Sequence, residues 1–290
     1  MYTTYMTNSI FKYLLVAVLF GVMTLIYFWA GLWIWGSWND DEDGYDQSVS
    51  VSDGVCNIAV LPLFGEIISY PGANKDGTTY IDDLPPTVNP DDVEYYLSSA
   101  ERDESILGVL AEIDSTGGAG SAGISIANRL KRSSLPTAAL VRESADSAAY
   151  MIATGVDTII ASPFADIGSI GVTMSYLDNS EQNALNGLKL VSLSSGKFKD
   201  SGIPDKPLSA EERALFERDL ATWHDAFVTM VGENRNIPKE EVAKLADGSS
   251  MAASLALEHK LIDALGDRET ARAWFSKELS IPLEEVVFCP

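Results

Sequence analysis

Apolar residues follow two different patterns along this chain. Residues 13–39 form one long, predominantly apolar run without a charged side chain, whereas short apolar runs alternate with amphipathic stretches from about residue 55 onward. A transmembrane helix needs about 20 predominantly apolar residues, and the run exceeds that length. The pattern predicts a short cytoplasmic tail over 1–12, a transmembrane anchor over 13–38, an acidic linker over 39–54 and a folded domain over 55–290.

The end of the apolar run favours an uncleaved anchor over a cleaved signal peptide. Four tryptophans lie between residues 29 and 38, where they suit the membrane–water interface. A signal peptide would have an apolar region of only about 7–15 residues, followed by a small-residue cleavage site. Lys12 precedes the run, whereas residues 40–43 are all acidic. Because positively charged residues tend to stay on the cytoplasmic side of a membrane, this asymmetry indicates the orientation. We therefore expect a single-pass protein of the cell membrane with its folded domain on the outer, extracytoplasmic side.

Strands and helices are predicted to alternate through the folded domain. Short apolar runs predict strands over 57–63, 106–113, 138–141, 157–161 and 188–193. Helical periodicity predicts helices over 121–132, 147–154, 209–233, 238–246, 251–259 and 268–279, and the Asn89-Pro90 pair predicts a further helix start. Repeated strand–helix alternation is typical of a layered α/β domain.

Composition excludes several classes of function. The 290 residues include 20 Lys and Arg against 42 Asp and Glu, a formal net charge of −22, so we expect no nucleic-acid binding. The two histidines, His224 and His259, cannot form a three-histidine metal site, and no cysteine pair has zinc-ligand spacing. We expect neither a metal nor another cofactor. Cys56 and Cys289 near the ends of the domain are either a disulfide pair or two unrelated thiols.

Three segments contain candidate catalytic groups. The first is the glycine pair Gly117-Gly118 after a predicted strand, where the backbone can approach a ligand and expose its N–H groups. The second is Ser147 before a predicted helix, whose free N–H groups can stabilise negative charge. The third is Lys199 in a loop, a candidate general base. Taken singly, these features are also typical of an ordinary turn, an N-cap serine and a solvated lysine.

Taken together and in order, the segments resemble the signal peptide peptidase A family, membrane-anchored Ser–Lys serine peptidases of the Clp protease and crotonase-like superfamily. STGG at 115–118 stands where that family has Ser-Pro-Gly-Gly, and SAAY at 147–150 where it has Ser-Gly-Gly-Tyr. GSIGV at 168–172 matches the family outright, and SGKFKD at 195–200 fits its Ser-Gly-x-x-Lys-Asp segment. The resemblance covers roughly residues 57–275.

The resemblance implies a Clp protease/crotonase-like layered α/β fold and a role for each matched residue. Ser147 would be the nucleophile and Lys199 its general base, a pairing that needs no histidine. The N–H groups of Gly117 and Ala148 would form the oxyanion hole, and Gly118 would keep that turn open. Ser169 would hold the lysine ammonium in place.

The chain departs from the family pattern near these residues. Thr116 replaces a usual proline, and Ala148 and Ala149 replace glycines. Ala148 retains the N–H that the oxyanion hole needs, but its methyl group narrows the pocket. Lys197 is a rival base, and Lys199 is preferred because an aspartate follows it, as in the family.

The resemblance also implies a function and an assembly. We expect a serine endopeptidase that cleaves short apolar peptides such as remnant signal peptides. We also expect a homo-oligomeric ring in which Ser147 of one copy meets Lys199 of the next. Two alternatives remain open: an anchored scaffold that binds peptides without cleaving them, and a crotonase-like acyl-CoA enzyme. The second alternative would leave Ser147 and Lys199 without a role.

Overall fold

The computed structural model describes residues 21, 23–25, 51, 54–70 and 86–289. The chain divides into the units Met1–Val49 and Ser50–Pro290, and all elements named below belong to the second. The predicted anchor lies outside the described residues except for residues 21 and 23–25, which are helical. In the part of the chain that is described, no helix has the length and apolar character needed to cross a bilayer.

A mainly parallel sheet forms the centre of the second unit. Within the described residues it has seven strands, in the order β1-β4-β5-β6-β9, with β7 paired to β5 and to β8. All pairings are parallel except that of β7 with β8, and β2 and β3 form a separate parallel pair. The strands are β1 Ile58–Phe64, β2 Glu66–Ile67, β3 Thr87–Val88, β4 Gly108–Ser115, β5 Thr137–Asp146, β6 Thr158–Ala161, β7 Asp166–Gly168, β8 Ser250–Ala252 and β9 Ala264–Leu265.

The helices begin where the sequence provides capping residues. Asn89 caps the first helix through the N–H groups of Asp91 and Asp92, and capping boxes begin at Ser209 and Asp267. The described helices are α1 Pro90–Arg102, α2 Gly120–Lys131, α3 Ala148–Ala153, α4 Ser180–Leu185, α5 Ala210–Arg235, α6 Lys239–Leu245, α7 Ala253–Glu258 and α8 Arg268–Leu279, with a 3₁₀ turn at Leu283–Glu285.

The sheet is buried on both faces, as is usual for parallel strands. Successive β4 residues point to opposite sides, so Val109 joins a core with α1, α2, α3 and α5, whereas Leu110 packs in a second core that contains Phe275 of α8. Helices therefore cover both faces of the sheet. The predicted α/β class is confirmed, while its transmembrane part lies outside the described residues.

One sequence prediction of local structure is wrong, and another has bounds that are too wide. Residues 188–193 form no strand, and they lie in an exposed segment of residues 172–200 that we call the arm. A strand needs a neighbour for its backbone hydrogen bonds, and the arm has no paired strand within the described residues of this chain. The helix predicted over 251–259 is present but shorter, because residues 251 and 252 belong to β8, which pairs with β7 before α7 begins.

A disulfide joins the two ends of the folded domain. Cys56, just before β1, and Cys289 are bonded, with their Cα atoms 5.0 Å apart, and both residues are buried. The question that the sequence left open is thus answered by the structure in favour of a disulfide. A covalent link between such distant residues restricts the unfolded chain.

Candidate active site

Ser147 lies at a strained elbow between β5 and α3. Its φ of 53° and ψ of −121° place a non-glycine residue in a rarely occupied backbone region. Its N–H donates to the Gly168 carbonyl oxygen at 2.8 Å, which ties the elbow to β7. The Ser147 side chain makes no capping hydrogen bond to α3. The hydroxyl is thus held at a helix start without acting as an N-cap, which favours a chemical role for it.

The glycine turn after β4 packs directly against this elbow. Gly117 has a φ of 104°, and a Cβ there would lie 2.8 Å from the Ser147 Cβ. Gly118 has a φ of 148°, and a Cβ there would lie 2.1 Å from the Ile67 carbonyl oxygen. Both positions therefore require glycine, because a side chain would be strained and would also displace the elbow or the segment at Ile67.

The N–H group expected from Gly117 in an oxyanion hole already has a partner in the structure. The Gly117 N–H donates to the Ser115 hydroxyl oxygen at 3.1 Å, and that hydroxyl donates to the Gly65 carbonyl oxygen at 2.6 Å. The N–H groups of Gly118 and Ala148 donate to no other group in the described part of the chain, and both residues line the cavity next to Ser147. Gly118 and Ala148 are therefore the better-placed pair of donors.

Ser147 opens into a cavity of about 930 Å³. Its apolar lining comes mainly from Ile124, Met151, Val172, Trp223 and Phe227. The cavity is wide enough for a peptide side chain, and its mostly apolar surface suits an apolar segment.

Ser169 lies in the same cavity, but its hydroxyl has a different partner from the one expected. The Ser169 Oγ donates to the Gly248 carbonyl oxygen at 3.0 Å, and its N–H donates to the Ser249 carbonyl oxygen at 3.0 Å. Ser169 thus fastens the turn after α6 to the strand next to the nucleophile. Its expected contact with a lysine ammonium is absent from the described structure of the single chain.

Lys199 is exposed in the arm and is not among the residues that line the Ser147 cavity. Lys197, the other candidate base, forms an ion pair with Glu211, with the ammonium nitrogen 2.6 Å from the carboxylate. No ion pair or side-chain hydrogen bond involves Lys199 in the described structure. One chain alone therefore brings Ser147, Gly118, Ala148 and Ser169 together and leaves Lys199 outside.

A polar network that the sequence analysis missed anchors the loop that follows Lys199. The Lys206 ammonium lies 2.6 Å from Glu212 Oε1 and 3.5 Å from Asp200 Oδ1. Ser192 Oγ donates to the other Asp200 oxygen at 2.5 Å. Hydrogen bonds to its carboxylate lower the pKa of Glu212 to about 2. The bond from Lys206 has the largest effect, and the bond from the Ser209 N–H has the next largest. The Ser-x-x-Glu capping signal at Ser209 could have identified Glu212 in advance.

Asp146, the residue before the nucleophile, was also missed. Its side chain is half-buried, and its Oδ1 atom is buried without a hydrogen-bond partner in the described structure. Burial, and secondarily the nearby Asp166 carboxylate, raises the pKa of Asp146. Its charge is thus unfavourable in the folded state.

A strained serine at a strand-to-helix elbow, two unused N–H groups and an adjoining apolar cavity are the features of a serine hydrolase site. Residues 129–281, just over half of the chain, match Peptidase family S49, and the chain belongs to this family. The resemblance to the signal peptide peptidase A family is confirmed, and the protein is a serine peptidase. Family membership favours peptidase activity over both alternatives left open by the sequence.

The chain is similar to two curated relatives and, more distantly, to one solved structure. A protease-named protein of Methanocaldococcus jannaschii is 27% identical over 250 residues, which cover 81% of this chain and 80% of that protein. A protein of Enterococcus faecium named as a signal peptide peptidase SppA is 31% identical, and the match covers 63% of this chain but only 54% of that protein. A variant of the 1510-N membrane-bound stomatin-specific protease has 18% identity and a TM-score of 0.49, covering 81% of this chain and 92% of that one.

Proposed function

We propose that this protein is a membrane-anchored serine endopeptidase with a Ser147–Lys199 dyad, and that neighbouring copies complete each active site. The observation that carries the proposal is the strained Ser147, which opens into an apolar cavity beside the free N–H groups of Gly118 and Ala148. The proposed substrates are short apolar peptides such as remnant signal peptides, because the walls of the cavity are mainly apolar.

Each proposed step follows from the position of one group. The neutral Lys199 amine takes the Ser147 hydroxyl proton as Oγ bonds to the peptide carbonyl carbon. The N–H groups of Gly118 and Ala148 stabilise the resulting oxyanion. Lys199 then gives the proton to the leaving amide nitrogen as the peptide bond breaks. Water, activated by the same lysine, hydrolyses the acyl-enzyme and releases Ser147.

The arm supports a site shared between copies. Leu177, Leu185 and Leu193 of the arm are 78%, 89% and 96% exposed, and Lys199 lies near its end. Soluble domains rarely leave large apolar surfaces uncovered, and a head-to-tail neighbour would cover the same surface on every copy of a ring. The same contact would bring Lys199 of one copy to Ser147 of the next copy.

The disulfide supports the extracytoplasmic position of the domain. Disulfides form and persist mainly in oxidising compartments outside the cytoplasm. We expect a protease added to intact spheroplasts to digest the domain, while an alkaline wash leaves the protein in the membrane. Protection of the domain from the added protease would contradict this location.

A serine-reactive phosphonate probe tests the proposed nucleophile directly. We expect the full-length protein in detergent to be labelled, and the Ser147→Ala variant to remain unlabelled. Ser144→Ala changes a serine on strand β5, three residues before Ser147, and is the matched control that should be labelled normally. Equal labelling of Ser147→Ala and the unaltered protein would overturn the assignment.

A further inference from the structure

We infer that Asp247 makes the peptidase prefer peptides in which a lysine or arginine adjoins the apolar segment. This inference rests on the proposed function and specifies its substrate class. Asp247 carries the only carboxylate among the described residues that line the Ser147 cavity, whose walls are otherwise apolar or uncharged apart from His224. A ligand that fills the cavity therefore meets apolar walls and one negative charge.

The position of Asp247 is fixed relative to the nucleophile. Its turn is held by the Ser169 hydrogen bonds to Gly248 and Ser249 and by the Gly248 N–H, which donates to the Ile170 carbonyl oxygen at 3.2 Å. The same strand segment accepts the Ser147 N–H at Gly168. The same hydrogen-bonded segment therefore positions both Asp247 and Ser147. As a result, Asp247 would bind a substrate cation at a defined distance from the scissile bond.

The Asp247 carboxylate is ionised and available to a ligand. Its Oδ1 atom accepts the Ser249 hydroxyl at 2.6 Å and the Ser249 N–H at 2.9 Å. These bonds, the hydroxyl first, lower the pKa of Asp247. The side chain is exposed, and no described lysine or arginine forms an ion pair with it. A charged carboxylate with a free oxygen is a strong acceptor for an ammonium or guanidinium group.

No hydrogen bond or ion pair joins His224 to Asp247 within the described residues. His224 Nε2 is 2.8 Å from the Ala246 carbonyl oxygen, so this nitrogen is engaged with the backbone. Trp223 and Phe227, its neighbours on α5, line the cavity and provide apolar contact. The cavity could therefore bind a peptide whose cationic side chain contacts Asp247 and whose apolar side chains contact Trp223 and Phe227.

The test uses one apolar fluorogenic peptide in versions that carry Lys, Gln or Glu at successive positions. With the full-length protein in detergent, we expect at least one position where Lys raises kcat/KM about tenfold over Gln. Asp247→Asn retains the Oδ1 acceptor for Ser249 but removes the charge. We expect it to abolish most of the Lys preference, measured as the ratio of kcat/KM for the Lys peptide to kcat/KM for the Gln peptide.

The control variant Asp225→Asn makes the same change in net charge at an exposed carboxylate outside the cavity, which pairs with Lys239 at 2.6 Å. It should retain the Lys preference, and this separates a local effect of Asp247 from attraction by the acidic protein as a whole. A Lys preference that survives Asp247→Asn, or no preference at any position while the Gln peptide is cleaved, would overturn the inference.

The inference can fail separately from the proposed function. If no peptide is cleaved, the proposed peptidase substrate class fails, and binding decides the role of Asp247. The Ser147→Ala variant should then bind the Lys peptide about tenfold more tightly than the Gln peptide, and addition of Asp247→Asn should equalise them. Equal affinities without the Asp247 change would contradict the inference.

Discussion

The Gly117 N–H donates to the Ser115 hydroxyl 3.1 Å away, and this bond settles the shape of the turn beside the nucleophile. The same hydroxyl donates to the Gly65 carbonyl oxygen, so Ser115 links the turn to the segment between β1 and β2. The Gly117 N–H is thus engaged, whereas the N–H groups of Gly118 and Ala148, two residues that line the cavity, have no partner in the described part of the chain. Under the proposed function, the oxyanion hole therefore depends on Ser115, a buried serine that does not itself line the cavity.

Ser115→Ala should therefore impair catalysis without altering the dyad. The substitution leaves the buried Gly117 N–H unpaired, which typically costs about 1–3 kcal/mol of folding free energy, and also frees the partly buried Gly65 carbonyl oxygen. We expect a lower Tm. We also expect a larger change in kcat than in KM, because the proposed oxyanion-hole N–H groups act mainly in the transition state. Ser115→Thr, which retains the hydroxyl, should recover part of the kcat. An unchanged kcat in Ser115→Ala would show that the turn holds its shape without this bond.

The two lysines of the arm should differ in their importance. Lys199→Ala is expected to abolish peptide turnover, because it removes the proposed proton acceptor. Lys197→Ala breaks only the exposed ion pair with Glu211 and should retain most of the activity. The measurement is kcat/KM of both variants on the same apolar peptide. If Lys197→Ala were the inactive variant, the assignment of the base would be wrong.

Glu212 should make the stability of the protein depend on acid pH. Its pKa in the folded protein is lowered to about 2, whereas an unfolded glutamate has a pKa of about 4.3. The stabilising effect is therefore fully present above the unfolded value and is lost as the pH falls from there toward the folded value. We expect Glu212→Gln to lower the Tm at pH 7 and to flatten the decline of Tm between pH 5 and pH 3, relative to the unaltered protein.

Glu217→Gln is the matched control for Glu212. Glu217 lies on the same helix α5, but its side chain is 63% exposed and its ion pair with Arg213 is 3.8 Å long. Such exposed pairs contribute little to stability, so this variant should follow the unaltered protein at every pH. Equal Tm profiles for the Glu212 and Glu217 variants would contradict a stabilising role of the Lys206 network.

Asp146 should have the opposite effect on stability. Because burial and Asp166 raise its pKa, the carboxylate favours folding when protonated, and this contribution is lost as the pH rises through the folded pKa. At pH 7 its charge opposes folding, and Asp146→Asn should raise the Tm by a few degrees. The gain should shrink as the pH falls from the raised folded pKa toward the unfolded value of about 3.9, and it should be absent below that value. A lower Tm for Asp146→Asn at pH 7 would show that the charged carboxylate has a stabilising partner.

The sequence predicted those parts of the site that depend on local chain geometry. The Gly117-Gly118 turn and the serine before a helix are local signals, because a tight turn requires glycine and an elbow lies between a strand and a helix. The hydrogen bond from the Gly117 N–H to the Ser115 hydroxyl could not be foreseen from spacing, and for this reason the proposed function uses the Gly118 N–H instead. Asp146 was missed for a similar reason, because its burial depends on how β5 and β7 are paired.

The strand predicted at 188–193 shows where reasoning from sequence alone fails. An apolar run indicates that side chains become buried, but it does not indicate which chain buries them. Leu193 is 96% exposed in the single chain, so the pattern that predicted a strand is not explained by packing within that chain. Under the proposed function, the partner for this segment is a neighbouring copy.

Mixing two inactive variants tests most directly whether the active site is shared between copies. Ser147→Ala and Lys199→Ala are co-expressed with different affinity tags, and oligomers that contain both are isolated by sequential capture. In a randomly mixed ring, about a quarter of the junctions join an intact Ser147 to an intact Lys199, so about a quarter of the normal peptidase activity should return. No recovery of activity in oligomers that contain both variants would contradict a shared site.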